Sequence, residues 1–389
     1  MATPKFRRAH IIYTIAVIGF IYILHSVIPL YSNSSFLALF ADERTIGFIY
    51  MAGAAISIFF YLIAPAIIRR LGNYTFTLIV VCLQIAAFYG LVAADSPQVL
   101  SYVFILQFGL SSLIGLALDI FLEGYTDVAS IGTVRGFYNA TLNASFVVAP
   151  LIGTMLIGVD NYRNTYVAAL AMLFPLLYLI YRNFPRFHDE NYTHLSPWHL
   201  IKHVYRNENW VKLMFASLIL QTFYSWMIVY SPIYLNRNLG FSWQEIGIII
   251  VVMLLPFPLV QYPLGKMADK KYGEKEIMAI GLAIMGVSTI ALSFFTIQSV
   301  LVWALLLFTT RIGAAAAEIM IETYFFKTVP PRDAAVLGIF RITRPLSYFI
   351  APMITLIGLF FTTDRYLFII VGLVCFIGLI PALSIRDTN

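Results

Sequence analysis

The chain has 389 residues, of which 60% are hydrophobic and only 11% are charged, and its net charge is +6. Because a soluble domain carries roughly 25% charged residues, this composition excludes a water-covered surface and, with it, a nucleic-acid-binding protein. It indicates a protein whose outside faces lipid, with a modest positive charge suited to anionic headgroups.

Apolar runs long enough to cross a bilayer recur along the whole chain. A spanning helix needs about 20 apolar residues, and twelve segments qualify: 10–31, 45–68, 76–94, 99–123, 136–158, 164–182, 210–234, 243–265, 276–296, 299–326, 334–360 and 365–385. The first resembles a signal peptide, but it lacks a clear cleavage site and further spans follow, so we assign it as helix one. The sequence therefore predicts an all-α membrane protein with twelve transmembrane helices.

The links between the spans divide the chain into two halves. Most links are short and polar, whereas residues 183–209 form the longest one. We therefore predict a six-helix bundle over 1–182, a cytoplasmic linker over 183–209 and a second six-helix bundle over 210–389. The two cysteines, Cys82 and Cys375, lie in apolar runs far apart in the sequence, so no disulfide framework is predicted.

Lysine and arginine predict the orientation, because cytoplasmic loops carry an excess of both. With the N-terminus inside, 18 of these residues fall in inner segments and four in outer ones, and Arg311, Arg341 and Arg344 fall inside helices. Both termini are therefore predicted to be cytoplasmic, in the plasma (inner) membrane.

The linker contains a short amphipathic helix of its own. Ser196 is suited to cap it, Pro197 fits its first turn, and one apolar stripe follows: Trp198, Ile201, Val204 and Tyr205. We expect this helix to lie on the inner membrane surface. His199 and His203 are one turn apart, but with no third ligand in view they are interpreted as a solvated face rather than a metal site.

The two halves resemble each other at a spacing of about 200 residues. The matching pairs are 29–31 with 232–234, 45–47 with 245–247, Asp119 and Glu123 with Glu318 and Glu322, and 145–150 with 347–352. Six spans return the chain to the side where it started, so the repeat is parallel. Parallel repeats related by an axis along the membrane normal are typical of transporters that rock two halves about a central site.

The loop after the eighth span carries a recognisable motif, formed by Gly265, Asp269, Lys270, Lys271 and Gly273. This motif resembles the loop signature of the major facilitator superfamily, which lies at the cytoplasmic joint between two helices. The counterpart in the first half, residues 67–72, keeps the bases and one glycine but lacks the acid. The resemblance implies the major facilitator fold, with twelve helices in two six-helix pseudo-repeats, and transport as the function.

Ionisable residues inside the spans are costly, by roughly 2.5–3.5 kcal/mol at the bilayer centre. Arg311, Glu318 and Glu322 share one face of the tenth span, because they are spaced by seven and four residues. At 1.5 Å per residue, Arg311 and Arg344 lie near the midplane. Five other ionisable residues of the spans lie closer to the cytoplasm and are called the lower tier: Glu318, Glu322, Arg341, Asp119 and Glu123.

Each tier has a structural and a functional interpretation. The lower tier is either an ion-pair gate that closes the cytoplasmic mouth or a proton-coupling site, with Glu318 the first choice and Asp119 the second. The midplane arginines either form structural pairs or attract an anionic or zwitterionic substrate group. Polar residues elsewhere in the spans are either helix–helix contacts or a cavity wall that binds the substrate; they are Asn139, Asn143, His25, Gln107, Gln221, Tyr224 and Gln261.

These observations favour a secondary active transporter of a small organic solute, coupled to protons and working by alternating access. The chain has no phosphate-binding loop, so ATP is not expected to drive it directly. The alternatives are a drug or metabolite efflux antiporter, a membrane-embedded metal-dependent enzyme that uses the two acid pairs, and a lipid flippase or a non-transporting sensor. We expect no enzymatic activity, no cofactor and no metal, and a monomer whose partners are the solute, protons and the lipid bilayer.

The orientation yields a direct prediction. Single cysteines placed in the 183–209 linker and at either terminus are expected to react only from the cytoplasmic side, since the charge bias puts all three there. Labelling with a membrane-impermeant maleimide, in intact cells and after permeabilisation, checks this. Labelling of the linker in intact cells would contradict the orientation.

Overall fold

A computed structural model describes residues 4–30, 33–157, 162–190, 192, 197–270 and 273–386. Nearly all of the described chain is helical. The first half forms helices α1 Pro4–Val27, α2 Asn33–Ala38, α3 Glu43–Leu71, α4 Asn73–Ala93, α5 Pro97–Gly124, α6 Ile131–Ile157 and α7 Arg163–Asn183. The prediction of an all-α membrane protein is confirmed.

The linker and the second half supply nine further helices. They are α8 Pro197–Tyr205, α9 Glu208–Arg237, α10 Trp243–Leu254, α11 Pro256–Ala268, α12 Glu274–Leu292, α13 Val300–Thr328, α14 Ala334–Phe361, α15 Leu367–Ile377 and α16 Leu379–Ser384. Two predicted spans are each built from two pieces, α10 with α11 and α15 with α16. Helix α11 begins at Pro256, which has no N–H to continue the hydrogen bonds of α10.

Eleven helical stretches within the described residues are long and apolar enough to cross a membrane. They correspond to every predicted span except 136–158. That span falls on α6, a 27-residue helix that is described only in part. The twelve-helix count therefore stays a prediction. The short linker helix is present as α8, and Ser196, its predicted cap, lies outside the described residues.

The helices group into two compact units whose boundaries differ from those of the sequence halves. The first unit contains residues 1–127, 141–197 and 330–342. The second contains residues 128–140, 198–329 and 343–389. The beginning of α6 thus packs with helices of the second half, and the beginning of α14 packs with helices of the first half.

Side-chain caps and one special turn fix several helix ends. Asp42 accepts a hydrogen bond from the backbone N–H of Thr45 at 3.1 Å and caps α3. Ser242 and Glu245 form a capping box that starts α10. Gly72 joins α3 to α4 with a φ of +76°, a left-handed conformation that glycine adopts at no steric cost. These residues begin and end the helices where the sequence pattern changes.

A close helix packing in the second unit joins α12 and α13 through glycine. A Cβ atom added at Gly313 would stand 2.5 Å from the carbonyl oxygen of Gly281, and one added at Gly281 would stand 2.7 Å from that of Gly313. Four consecutive alanines, residues 314–317, follow Gly313. In lipid, small residues allow such close backbone contact, which dispersion forces then stabilise. This packing holds α13, which carries the predicted charged face.

Replacing Gly313 with leucine is expected to destabilise the protein, because no space exists for a side chain between the two backbones. Overpacking of this kind costs about 1–3 kcal/mol or more. The melting temperature of the purified protein in detergent, followed by tryptophan fluorescence, measures the effect. The control is Gly247→Leu, since nothing lies within 4 Å of a Cβ atom there. Equal melting temperatures for the two variants would contradict this account.

Candidate functional site

Helix α13 carries the three ionisable residues that the sequence places on one helical face. The Arg311 side chain is 1% exposed and Glu322 is 7% exposed, whereas Glu318 is half-buried. Charged groups in such surroundings persist only where partners compensate for lost hydration. Their partners therefore decide what each residue does.

Glu318 accepts a hydrogen bond from an uncharged donor on another helix. Gln261 of α11 donates from Nε2 to Oε2 of Glu318 at 2.6 Å. The hydroxyl of Tyr224, on α9, donates to the backbone carbonyl oxygen of Ala314 at 3.3 Å and interacts electrostatically with the Glu318 carboxylate. Both Gln261 and Tyr224 were expected to contact the substrate; the structure brings them close to the Glu318 carboxylate, and their role in substrate binding stays a prediction.

Arg311 packs against aromatic rings. Its guanidinium carbon lies 4.9 Å from the ring centroid of Phe223 and 5.7 Å from that of Tyr224. A cation over the face of a ring is attracted by the ring quadrupole, most strongly where water is excluded. The surroundings of Arg311 therefore fit the structural interpretation of this residue better than the substrate-binding one.

Arg135 completes an ion pair that the sequence analysis missed. Its Nη1 lies 3.7 Å from Oε2 of Glu322, and its guanidinium carbon lies 3.2 Å from the ring centroid of Phe326. The predicted helix began at residue 136, so Arg135 was counted among the loop cations, whereas α6 begins at Ile131. The internal repeat could have indicated that Arg135 is helical, because the segment of the second half that matches it was predicted to lie inside the span 334–360.

A second ion pair lies in the first unit and joins α5 to α14. Nε and Nη2 of Arg341 lie 2.8 Å and 2.6 Å from Oδ2 of Asp119. The Asp119 side chain is 5% exposed and that of Arg341 is 24% exposed. Glu123, one turn further along α5, is half-buried and acts electrostatically on Tyr192 of the linker.

The loop motif places Asp269 at the N-terminus of α6. Its carboxylate accepts hydrogen bonds from the backbone N–H groups of Gly132 at 2.9 Å and Thr133 at 2.6 Å. The hydroxyl of Thr133 donates to the same carboxylate at 2.8 Å. A carboxylate is favoured at a helix N-terminus by the unpaired N–H groups and the helix dipole. This agrees with the expectation that Asp269 binds a neighbouring helix end.

Lys327 connects the motif to the end of α13. Its ammonium lies 3.6 Å from Asp269 and 2.6 Å from Glu274, and all three side chains are at most 9% exposed. Gly265 has no room for a side chain, since a Cβ atom there would stand 2.1 Å from the carbonyl oxygen of Gly132. Lys270 is exposed and Gly273 precedes α12, whereas Lys271 lies outside the described residues.

In the first half, an acid from the linker occupies the turn where the motif lacks one. Asp189 accepts a hydrogen bond from the backbone N–H of Asn73, the first residue of α4, at 2.9 Å. The hydroxyl of Tyr192 donates to the same carboxylate at 2.7 Å. Burial, followed by the hydrogen bond to Asp189, raises the pKa of Tyr192. No local pattern indicates this contact, because 116 residues separate Asn73 from Asp189.

Arg344 differs from the other arginines inside the spans. It is exposed, and no ion pair joins it to any part of the chain that the structure describes. It lies ten residues into α14, about 15 Å from the start of that helix. A permanently charged group at this depth requires water or a charged ligand beside it.

The other predicted substrate residues are distributed over both units. Asn143, His25 and Gln107 belong to the first unit, and Asn139 and Gln221 belong to the second. His25 is fully buried, and its ring lies 5.5 Å from that of Phe88, measured between centroids. Gln107 is 7% exposed, whereas the three remaining residues are half-buried. A role in substrate binding stays a prediction for all five.

The acid pairs of α5 and α13 do not form a metal site. Within the described ranges, no cluster of three or more histidine, cysteine, aspartate and glutamate side chains is arranged to hold a metal ion. Asp119 and Glu322 are instead each paired with an arginine. Asp119 and Glu322 of the lower tier therefore form ion pairs, and Glu318 accepts a hydrogen bond.

Comparison with known proteins gives results for both the fold and the family. Residues 213–389 match the family model described as Major Facilitator Superfamily, whereas no curated protein sequence matches the chain. The crystal structure of the human organic anion transporter MFSD10 (TETRAN) is similar with a TM-score of 0.80 and 14% identity, over 98% of this chain and 100% of that one.

A second solved structure has the same architecture. It is a major facilitator superfamily transporter, FucP, in the outward conformation, with a TM-score of 0.78 and 11% identity over 97% of this chain and 99% of that one. At these identities the two likenesses concern the fold alone, and they confirm the predicted major facilitator fold. These comparisons therefore show the major facilitator fold over nearly the whole chain and a match to the Major Facilitator Superfamily model over its second half.

Proposed function

We propose that the protein is a secondary active transporter that moves a small anionic or zwitterionic organic solute by alternating access, coupled to protons. The observation that carries the proposal is the contrast between Arg344 and the other arginines at similar depth. Arg311 is buried against aromatic rings, and Arg341 is bound to Asp119. Arg344 alone among these three is exposed, so it is the cation that remains for a ligand.

The chemistry of Arg344 limits the solute. A guanidinium presents five N–H donors in a planar fork, which fits a carboxylate or phosphate by two parallel hydrogen bonds. Tyr348, one turn further along α14, is 38% exposed and offers an aromatic ring and a hydroxyl. This pair supports an organic anion over an inorganic cation, and the similar fold of an organic anion transporter is consistent with that choice.

The two ion pairs supply the contacts that alternating access has to break. Each joins helices from different halves of the sequence, Asp119 of α5 with Arg341 of α14 and Arg135 of α6 with Glu322 of α13. All four residues lie within about 11 Å of a helix end on the predicted cytoplasmic side. We assign both pairs to a cytoplasmic gate, which is the structural interpretation of the lower tier.

Glu318 is the carboxylate we assign to proton coupling. Asp119 and Glu322 each form an ion pair with an arginine, and Glu318 accepts a hydrogen bond from the amide of Gln261. An amide can accept a hydrogen bond from a neutral carboxyl through its oxygen as well as donate one to a carboxylate through its NH₂ group. Glu318 can therefore keep a hydrogen bond to Gln261 in both charge states.

The coupling assignment predicts the behaviour of Glu318→Gln, which mimics the protonated side chain. We expect this variant to bind solute and to exchange it across the membrane, but to lose accumulation driven by a pH gradient. Uptake into proteoliposomes with and without an imposed gradient measures this. Asp119→Asn is the matched control, since it removes a carboxylate assigned to the gate. Full gradient-driven accumulation by Glu318→Gln would leave Glu318 with a gating role.

The anion assignment predicts different effects at the two midplane arginines. A thermal-shift screen of purified protein against monocarboxylates, dicarboxylates, amino acids and organic phosphates first finds a stabilising solute. Arg344→Gln is then expected to weaken its binding about 10- to 100-fold, the loss of one charge-assisted contact worth about 1.5–3 kcal/mol. Arg311→Gln is expected mainly to lower the melting temperature. Normal solute binding by Arg344→Gln would rule out the anion site.

A further inference from the structure

Gln261 contacts two functional parts of the second unit at once. The side chain is fully buried and donates to Glu318 through Nε2 at 2.6 Å. Its backbone carbonyl oxygen would stand 2.7 Å from a Cβ atom at Gly136, so α6 lies directly against α11 here. Gln261 is therefore both a ligand of the carboxylate and part of the crossing between α6 and α11.

The crossing continues along one face of α11 towards the gate. Gly265, one turn after Gln261, touches the backbone at Gly132, and Asp269, a turn further, binds the N-terminus of α6. Spacings of four residues place these three residues in a row along α11. A displacement of α11 at Gln261 is thus passed along the row to the first turn of α6. That turn is followed by Arg135, which forms the gate pair with Glu322.

An amide is suited to this position because it serves both charge states of a carboxyl. Its NH₂ group donates to an ionised carboxylate, and its oxygen accepts from a protonated one. Protonation of Oε2, the oxygen that accepts from Nε2, turns it into an O–H donor and so favours rotation of the amide, which then presents its own oxygen. In a packed interior, side chains have little room to rotate without moving their neighbours. The orientation of Gln261 and the packing of the crossing are therefore linked to the proton on Glu318.

We propose that Gln261 is a positioning residue that transmits the charge state of Glu318 to the α6–α11 crossing, and through it to the Arg135–Glu322 gate pair. This rests on the proposed coupling role of Glu318. It assigns Gln261 a role other than contact with the solute.

The groups around Glu318 leave Gln261 as the link to α6. Tyr224 approaches from α9, and Arg311 and Glu322 lie on α13 itself. Arg344 of α14 acts electrostatically on the Tyr224 hydroxyl.

Charged residues of the other helices packed on α13 lie towards its ends. Helix α12 places Glu274 beside Lys327, nine residues beyond Glu318, and helix α10 uses Glu245 in its capping box. Of all these groups, Gln261 alone lies on α11, the helix that crosses α6.

The test measures the crossing directly and needs no solute. Spin labels are placed at Val128, just before α6, and at Leu259 on α11, which are 67% and 63% exposed, with Cys82 and Cys375 replaced by alanine. Pulsed electron paramagnetic resonance then gives the distance between the labels from pH 5 to pH 9, in proteoliposomes. In the parent protein we expect two distance populations whose ratio changes with pH. In Glu318→Gln we expect one population at every pH.

The decisive variant is Gln261→Met, which keeps the length of the side chain and removes its hydrogen bonds. We expect it to fold and to lose the pH response of the distance, and Gln261→Asn, whose amide is too short to reach, to do the same. The control is Gln84→Met, since Gln84 is also a fully buried glutamine but belongs to the first unit. Melting temperatures confirm that each variant is folded.

The outcomes separate this inference from the proposed function. If Glu318→Gln loses the pH response while folded Gln261→Met and Gln261→Asn keep it, Gln261 is not the link, and the coupling role of Glu318 stands. If the parent protein shows no pH response, or Glu318→Gln retains it, both the inference and the coupling role are wrong. Loss of the response in Gln84→Met as well would also overturn the assignment to Gln261.

Discussion

The free energy of burying charge in a membrane determines how this protein is built. An unpaired ion in the hydrocarbon region costs several kcal/mol, so each charge there has a partner or borders water. Asp119 is bound to Arg341, and Glu322 lies beside Arg135. Lys327 lies between Asp269 and Glu274. These partners come from distant parts of the sequence, so pairing of charges determines which helices stay together on the predicted cytoplasmic side.

The same constraint explains why the compact units cross the boundary between the halves. Residues 128–140 contribute Arg135 to Glu322 and a helix N-terminus to Asp269, and they group with the second half. Residues 330–342 contribute Arg341 to Asp119 and group with the first half. Glycines permit both contacts, since Gly136 lies against the backbone of α11 and Gly338 against that of α3. Charged contacts and close backbone packing thus hold each exchanged segment within its compact unit.

Sequence reasoning was most successful where a pattern is local. Hydropathy located eleven spans that the structure also contains, and helical spacing placed Arg311, Glu318 and Glu322 on one face. It was least successful where the outcome depends on which distant segments meet. Arg135 fell just outside the predicted span, which began at residue 136, whereas α6 begins at Ile131 and Arg135 pairs with the distant Glu322. The partners of Gln261 and Tyr224 were unpredictable for the same reason, since any buried amide or phenol in a span fits many helix–helix contacts.

The two repeats have kept the same architecture by different chemical means. In the second half, the motif's own Asp269 binds the N-terminus of α6 and is balanced by Lys327. In the first half the motif acid is absent, and Asp189 of the linker binds the N-terminus of α4 at the same turn. The second arrangement connects helices from different halves, whereas the first ties the linker to its own bundle. Only one of the two motif copies therefore connects helices from different halves. That connection is made at the end of α11, the helix that also carries the hydrogen-bond donor to Glu318.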